Sequence, residues 1–564
     1  MAFKSPSFRR INLPTWTSSF LPLLSAASLL APLHATAANP QVAPASTAPT
    51  TAKPPATTPR PGAGGLYIAE YRVLGSHLLN EEAIGEAVYP FLGPGRTEAD
   101  VEGARSALER AYHEKGLQTV SVSIPAQTGR HGILFLQVTE AKVGRLRVKG
   151  SRYFSLDQIK RQAPSIAEGK VPNFNEVTRD ILALNQWPDR RITPVLRPGV
   201  EPGTVDIDLN VQDGSPLHGS VELNNRYSPN TTELRLNGSV SYNNLWQRGH
   251  SAGLSFQIAP ENPDNAKVIS AYYQARIPDH DWLSLMILGT KQDSNVSTLG
   301  GSAVAGRGQI LGLRAMVSLP AGKGFFQSVS FGIDYKHFDQ DIALTPGADP
   351  IVAPITYYPI GVNYSGTWVG KGALTELSAA LVFHVRGMGS SEAEFENTRY
   401  QADGSFAVLR GDLAHAHDFL GGFQLYGKIQ GQLTNQPLVS SEQFSAGGLS
   451  TARGYLEGEV AGDNALFGTI ELRSPSLLKW AGEKAGEKIH DWRIYAFTDA
   501  GRVALLDTLP DQQSSFDLAS IGIGTRLELW NHFRGSLDAG LPLISQTYTQ
   551  AHHPLLTFRL WADF

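Results

Sequence analysis

The chain has 564 residues, of which 41% are hydrophobic and 18% charged, and a net charge of −4. It has no cysteine, which excludes a disulfide framework and thiolate chemistry, and the lack of basic bulk removes the electrostatic signature of nucleic-acid binding. Past the N-terminal region no run of 18 apolar residues occurs, which excludes a transmembrane helix but not a transmembrane barrel, whose strands are apolar only at alternate positions.

Residues 1–37 read as a secretory signal. Lys4, Arg9 and Arg10 give a positive start, an apolar stretch runs from Phe20 to Leu33, and Ala35-Thr36-Ala37 supplies small residues at a cleavage site. A membrane anchor is the plain alternative, but the stretch is short and holds Pro22 and Pro32. Residues 38–65, rich in Pro, Ala, Thr and Gly, have no helical periodicity and read as an extended linker.

An internal repeat follows. Arg72-Val73-Leu74-Gly75-Ser76 is echoed by Arg147-Val148-Lys149-Gly150-Ser151, dividing the segment into units at 66–141 and 142–213. The first parses as a strand at Leu66–Leu74 and a helix from an Asn80 cap to Tyr89. A second helix starts at Thr97 and Asp100, with Val101, Ala104, Leu108, Ala111 and Tyr112 on one face, and ends at Lys115-Gly116. Strands at Leu117–Ile124 and Ile133–Val138 complete it. The second unit repeats the plan, with a helix over Asn175–Asn185 and strands near Ile192–Leu196 and Val205–Val211. This β-α-α-β-β unit, used twice, resembles a POTRA domain; a generic α+β binding module is the alternative.

From Gly214 the period changes to two. Glu233, Arg235, Asn237, Ser239 and Ser241 share one face, and Leu234, Leu236, Gly238, Val240 and Tyr242 the other. Repeated segment after segment, an apolar outward face and a polar inward face fit lipid outside and a wet lumen inside. The reading is an all-β transmembrane barrel of 16 antiparallel strands over 214–564, the first near 218–228 and the last at 555–564, with a long loop at 435–464. The last strand puts Leu556, Phe558, Leu560, Ala562 and Phe564 on one apolar face. A terminal aromatic strand resembles the signal read by the bacterial barrel-assembly machinery.

The stretch Phe444-Ser445-Ala446-Gly447-Gly448-Leu449-Ser450-Thr451-Ala452-Arg453-Gly454-Tyr455 continues to Gly462-Asp463-Asn464 and Glu471-Leu472-Arg473, and Phe497-Thr498-Asp499-Ala500-Gly501 follows. Together these resemble the sixth external loop, with its V-R-G-Y-type tip, and the F-x-D-x-G strand of two-partner secretion transporters, the family that secretes haemolysins and filamentous haemagglutinins. Ala452 departs from the usual Val. Pro188-Asp189-Arg190 and Leu196-Arg197-Pro198-Gly199 resemble that family's second POTRA unit, so the likeness covers nearly all of the mature chain. It implies an outer-membrane protein whose loop folds inward so that Arg453 meets Asp499, and a TpsA-like secreted exoprotein (haemolysin or adhesin) as partner, exported without nucleotide hydrolysis. It also implies partner capture by strand addition to a POTRA edge, with Gln118, Val120, Val122 and Ile124 as the candidate groove.

Alternation alone places Arg493, Tyr495, Phe497 and Asp499 on a luminal face. From spacing alone, an exposed Arg-Gly turn and an unrelated luminal Asp remain the simpler reading; with the family pattern a directional guanidinium–carboxylate pair is favoured. No cofactor or metal is expected. His415 and His417 share a strand face near a turn, which is the plainer account of them than a metal site, and His552-His553 reads as solvated. No G-x-S-x-G, Walker loop or H-E-x-x-H occurs, so no enzyme is expected. Competing readings are an insertase for other barrels, disfavoured by only two POTRA-like units, a passive porin, which needs no arm, and a barrel-embedded hydrolase. Related transporters often carry an N-terminal plug helix; the Pro-rich linker stands in its place, so no plug is expected.

Overall fold

The computed structural model describes residues 66–127, 130–278, 280–294, 296–297, 304–305, 307–320, 322–342, 351–478, 489–510, 512–530 and 532–564. The signal at 1–37, the linker at 38–65 and the question of a plug lie outside them. Two compact units divide near Pro216.

In the first unit the chain runs β1 (Leu66–Ile68), β2 (Glu70–Leu74), α1 (Glu81–Val88), β3 (Gly93–Arg96), α2 (Glu98–Glu114), β4 (Val120–Ser123) and β5 (Ile133–Glu140). It continues as β6 (Lys142–Lys149), α3 (Leu156–Arg161), α4 (Phe174–Leu184), β7 (Arg190–Pro198) and β8 (Thr204–Asp213). Each half makes a three-stranded sheet in which the outer strands flank the last one: β2-β5-β4 and β6-β8-β7. In both, the first strand runs parallel and the middle one antiparallel to the last. The single strand expected at Leu66–Leu74 is broken at Ala69, whose N–H donates to Gly132 O (2.8 Å). Leu66–Ile68 turns instead to pair with Gly93–Arg96.

Local chemistry accounts for the helices. Asn80 accepts from the Ala83 N–H, and Thr97 and Asp100 form a reciprocal capping box. Val101, Ala104, Leu108 and Tyr112 bury their face of α2 against Ile68, Val120, Val122, Leu136 and Val138. The second core gathers Ile159, Val177, Leu184, Ile207 and Leu209. The halves are joined where α2 ends: Gly116 O accepts from Phe174 N–H (2.8 Å) and Lys115 O from the Asn173 amide (3.1 Å).

Asp213 closes the second half. It accepts from the backbone N–H groups of Arg152 (2.8 Å) and Tyr153 (2.9 Å) and from the Ser151 hydroxyl (2.9 Å). Burial raises its pKa, but these donors outweigh burial and hold it below the ordinary value. A lowered folded-state pKa means that the stabilisation is present above about pH 4 and is lost as pH falls through the folded value. Asp213→Asn is expected to destabilise this half by about 1–2 kcal/mol at neutral pH and to flatten its stability between about pH 4 and 2. Hydrogen exchange of residues 142–213 in the whole protein against pH reads both effects.

The second unit is a closed barrel. Among the described residues seventeen strand segments form the ring, and two of them run end to end: Ile351–Tyr357 and Ile360–Gly370 both pair with the single strand Phe325–Ile342. The result is 16 antiparallel staves, as the alternation predicts. In order they are Leu217–Asn224, Arg235–Leu245, His250–Ile258, Ala266–Ile277, His280–Ser294, Arg307–Ser318, Phe325–Ile342, the broken Ile351–Gly370, Ala373–His384, Phe406–Asp418, Gln424–Thr434, Asn464–Arg473, Ile489–Ala504, Ser515–Leu529, Phe533–Pro542 and Leu555–Asp563. The interruption at Tyr358-Pro359 follows from proline, which has no N–H for a ladder.

Outward residues are predominantly apolar. Leu254, Ile287, Leu313, Phe331, Ile429, Ile470, Ile494, Ile523 and Leu560 are all exposed on the wall, which a hydrocarbon solvent requires. The ring closes where Leu555–Asp563 pairs with Leu217–Asn224. The chain enters the first stave at Leu217, so the connections after odd-numbered staves lie at the far end. These include the loops at 385–405 (after the ninth) and 435–463 (after the eleventh). The former carries a helix, Glu392–Thr398, started by a capping box of Ser391 and Glu394.

Candidate functional site

The 435–463 loop turns into the lumen as a hairpin, Phe444–Ala446 pairing with Val460–Gly462. The Phe444 ring stacks on Phe467 of the wall (5.7 Å between centroids). At its tip Arg453 is almost fully buried. Its Nε donates to Asp499 Oδ2 (2.8 Å) and its Nη2 to Asp499 Oδ1 (2.8 Å), while its backbone N–H also donates to Oδ2 (3.0 Å). Nη1 donates to Glu471 Oε1 (2.6 Å), and the guanidinium carbon lies 3.5 Å from the centre of the Phe497 ring. A planar fork between two carboxylates and an aromatic face uses the geometry that distinguishes Arg from Lys.

The flanking residues fix the tip. Gly454 has φ +93°, and a Cβ there would lie 3.0 Å from the Gly540 backbone, so two glycines allow the loop and the wall to touch main chain to main chain. The Tyr455 hydroxyl donates toward Ile544 O (2.8 Å) and Ala519 O (3.0 Å) and accepts from both N–H groups (3.3 Å). Ala452 is fully buried in the apolar cluster around Tyr455, Phe467 and Leu518. At Gly501 a Cβ would come 2.3 Å from the Phe467 ring, so the glycine of the strand motif makes room for that ring. Gly454→Ala is expected to displace the tip at a cost of about 1–3 kcal/mol, seen as increased protease cleavage within 444–462 in intact cells.

Residues that the sequence reading did not single out as anchors share this work. Glu471 also accepts from Arg473 (2.7 Å) and Arg526 (3.3 Å), and Asp538, which accepts from the Tyr495 hydroxyl (2.6 Å), lies 3.8 Å from Arg453. Glu442, at 0% exposure, faces Lys336, the Tyr357 hydroxyl (2.8 Å) and Arg410 (3.0 Å). Glu457 accepts from Arg226 (2.6 Å), and Glu459 from Tyr548 N–H (3.0 Å) and from Thr549 N–H (2.9 Å) and hydroxyl (2.7 Å). Asp463 gathers the far-end loops, accepting from Leu438 N–H (2.9 Å) and Leu506 N–H (2.7 Å) beside Arg399 (3.6 Å). The available signal for Glu471 was its inward parity with Arg473; the loop acids carried none, because charged loop residues are ordinarily solvated.

Other singled-out residues lie apart from the lumen lock. Leu560 and Phe564 point outward and are exposed, and Ala562 shares their face. Phe564 pairs main chain to main chain with Gly219 (2.8 and 3.0 Å). In the arm, β4 is an edge strand, but Val120 and Val122 turn into the core at 2% and 4% exposure. The four-residue groove is corrected accordingly: of the four only Gln118 and Ile124, just beyond the ends of β4, are exposed, and along the strand itself alternation exposes Ser121 and Ser123 instead. The edge is also partly occupied, since the His113 ring nitrogen lies 3.2 Å from Val120 O and Arg105 donates to Val122 O (3.2 Å). His415 and His417 stack (6.0 Å) on the outward wall, and Thr375 takes up His415 (2.8 Å). Among the described residues no group of three or more potential ligands is placed to hold a metal ion.

Residues 203–527 match the family of haemolysin secretion/activation proteins ShlB/FhaC/HecB. The chain belongs to this family. Residues 66–141 match the ShlB-type POTRA domain. The outer membrane transporter CdiB of Dickeya dadantii (strain 3937) is 22% identical over 64% of this chain, which in turn spans 64% of that relative. CdiB of Escherichia coli O6:K15:H31 is 22% identical over 87% of this chain and 81% of its own length. The heme/hemopexin transporter protein HuxB of Haemophilus influenzae (strain 86-028NP) is 20% identical over 66% of each. The solved structure of CdiB from Escherichia coli superposes with a TM-score of 0.61 at 19% identity, covering 91% of this chain and 93% of that one. The family places this barrel in the outer membrane with its POTRA arm in the periplasm, so the loops at the far end are external.

Proposed function

We propose that this haemolysin secretion/activation family member carries an unfolded secreted partner from its POTRA arm through the barrel to the cell surface. No nucleotide is hydrolysed and no catalysis is involved. The inward loop held at Arg453 supports the reading most directly: a gated lumen suits passage of a large cargo, and a passive porin has no use for the arm before it. The names of the CdiB and HuxB relatives agree with transport. The partner is a TpsA-like exoprotein that adds to the β4 edge by backbone hydrogen bonds, displacing Arg105 and His113 and touching Gln118 and Ile124. Outer-membrane lipid surrounds the barrel, and the barrel-assembly machinery reads the strand ending Leu560, Ala562 and Phe564.

The test is secretion of a TpsA-like exoprotein from the same cell, with and without the transporter. Loss of external partner on deletion, with other barrel proteins at normal levels, supports export; unchanged secretion overturns it, and general loss of barrel proteins points to an insertase. A photoreactive residue at Gln118 or Ile124 is expected to capture the periplasmic partner, whereas one at the exposed Tyr89, remote from β4, is not.

A further inference from the structure

We infer that the exported chain travels along one arc of the lumen, a neutral hydroxyl-lined track on staves two to five; this rests on the export reading above. The register places Ser220, Ser239, Ser255, Ser270 and Thr290 opposite one another in succession across five neighbouring staves. Two of the four steps in this row are hydroxyl–hydroxyl hydrogen bonds, Ser220 to Ser239 at 2.7 Å and Ser270 to Thr290 at 2.8 Å. Ser239 is exposed on this inward face, and Ser255 and Ser270 are half-buried. Between Arg235 and Arg276 at the ends of the arc, the inward positions of these staves are Ser, Asn, Gln, Thr, Gly, Tyr, Val, Leu and Met, none of them formally charged.

The remaining circumference is different. Glu442 fastens the loop to the seventh, eighth and tenth staves, and Arg453 to the twelfth and thirteenth. Glu471, Arg473, Arg526 and Asp538 make that second wall charged. These two anchors lie away from the hydroxyl arc; at the far end the loop also reaches its margin, where Glu457 accepts from Arg226 (2.6 Å) in the connection between the first and second staves. A cavity of about 390 Å³ opens at the start of the arc and is lined by His218, Ser220, Ser239, Ser241, His532 and Asp563.

Chemistry selects the occupant. An unfolded polypeptide presents amides at every residue and charges of both signs in turn. A charged wall would hold segments of opposite sign and repel the others. Hydroxyls donate and accept, and they exchange with water at little net cost, so they suit a sliding main chain of any sequence.

The experiment places a photoreactive residue singly at Ser255, Ser270, Thr469 or Ser378 in the full-length protein, using variants that still secrete, with the partner stalled in transit by a folded C-terminal fusion. Capture from positions 255 and 270 at least tenfold above 469 and 378 is expected. Equal capture all round, or capture concentrated at 469, overturns the track. In parallel, Ser255→Lys with Ser270→Lys is expected to lower secretion at least tenfold while Ser378→Lys does not, with heat-modifiable gel mobility confirming assembled barrels. Unchanged secretion by the assembled lysine pair also overturns it. Failure of the export reading itself is distinct, because wild type would then release no partner and none would be captured at any of the four positions.

Discussion

Asp499→Ala is expected to reduce secretion of the partner at least tenfold while the barrel still assembles. The substitution removes two guanidinium bonds and the acceptor of the Arg453 N–H at once. It leaves a buried Arg453 with Glu471 as its near carboxylate. Breaking a buried pair from one side costs about 3–5 kcal/mol, enough to shift a docked loop to an undocked one by more than a hundredfold. Arg453→Ala should give the same defect, and so should Arg453→Lys, since an ammonium keeps the charge but not the two-point geometry. External partner, heat-modifiable mobility and protease access within 444–462 are measured together. Assembly without secretion and with a newly cleavable loop is the expected pattern. If all three variants secrete normally, the lock has no role in export.

Glu442→Ala should be nearly as damaging to the docked loop by a separate route. It leaves the Lys336 ammonium and the Arg410 guanidinium facing each other's surroundings without the carboxylate that both address, and Lys336 is itself only 3% exposed. A cost of about 3–5 kcal/mol again applies, and it falls on the first half of the loop rather than the tip. Single-channel conductance in planar bilayers is expected to show more frequent wide openings than wild type. Because Glu442 and Arg453 address different staves, their effects on loop docking should add to within about 0.5 kcal/mol. A double variant no worse than either single one would mean that the loop leaves as one piece and that the two anchors are not separate.

Much of this was legible because a barrel writes its solvent into its sequence. Leu254 and Phe256 outward, with Ser255 and Gln257 inward, follow from lipid on one side and water on the other, and the 16-stave ring followed from repeating that pattern. The broken eighth stave was less visible: the sequence reads as one strand near 354–366, running across Pro359, where the structure has Ile351–Tyr357 and Ile360–Gly370. The helix at Glu392–Thr398 was signalled by Ser391 and Glu394, yet it lay in a region read as a connection. In the lumen, Arg453 and Asp499 were reached by a motif, and the pairing distance needed coordinates. Glu442, Glu457, Glu459 and Asp463 were hidden because an acid in a Gly- and Ser-rich loop reads as solvated until the loop is seen to be buried. At β4, alternation itself held the correction: two valines two residues apart share a face, and that face was needed for the core.

The clasp between the first and last staves has a kinetic meaning. Arg559 meets Glu222 through two bonds of 2.8 Å, and the Asn225 side chain bonds both Phe558 N–H (2.7 Å) and Leu556 O (2.8 Å). These contacts join residues more than 330 positions apart, so they reward the chain only when nearly every other stave is in place. Until then both terminal staves are raw edges, ready to pair with a stranger and costly to leave in hydrocarbon. The order of events is therefore constrained at birth: the ring must be shut as it enters the bilayer, and the side-chain clasp marks the moment at which an intermediate that sticks to other chains becomes a particle that does not.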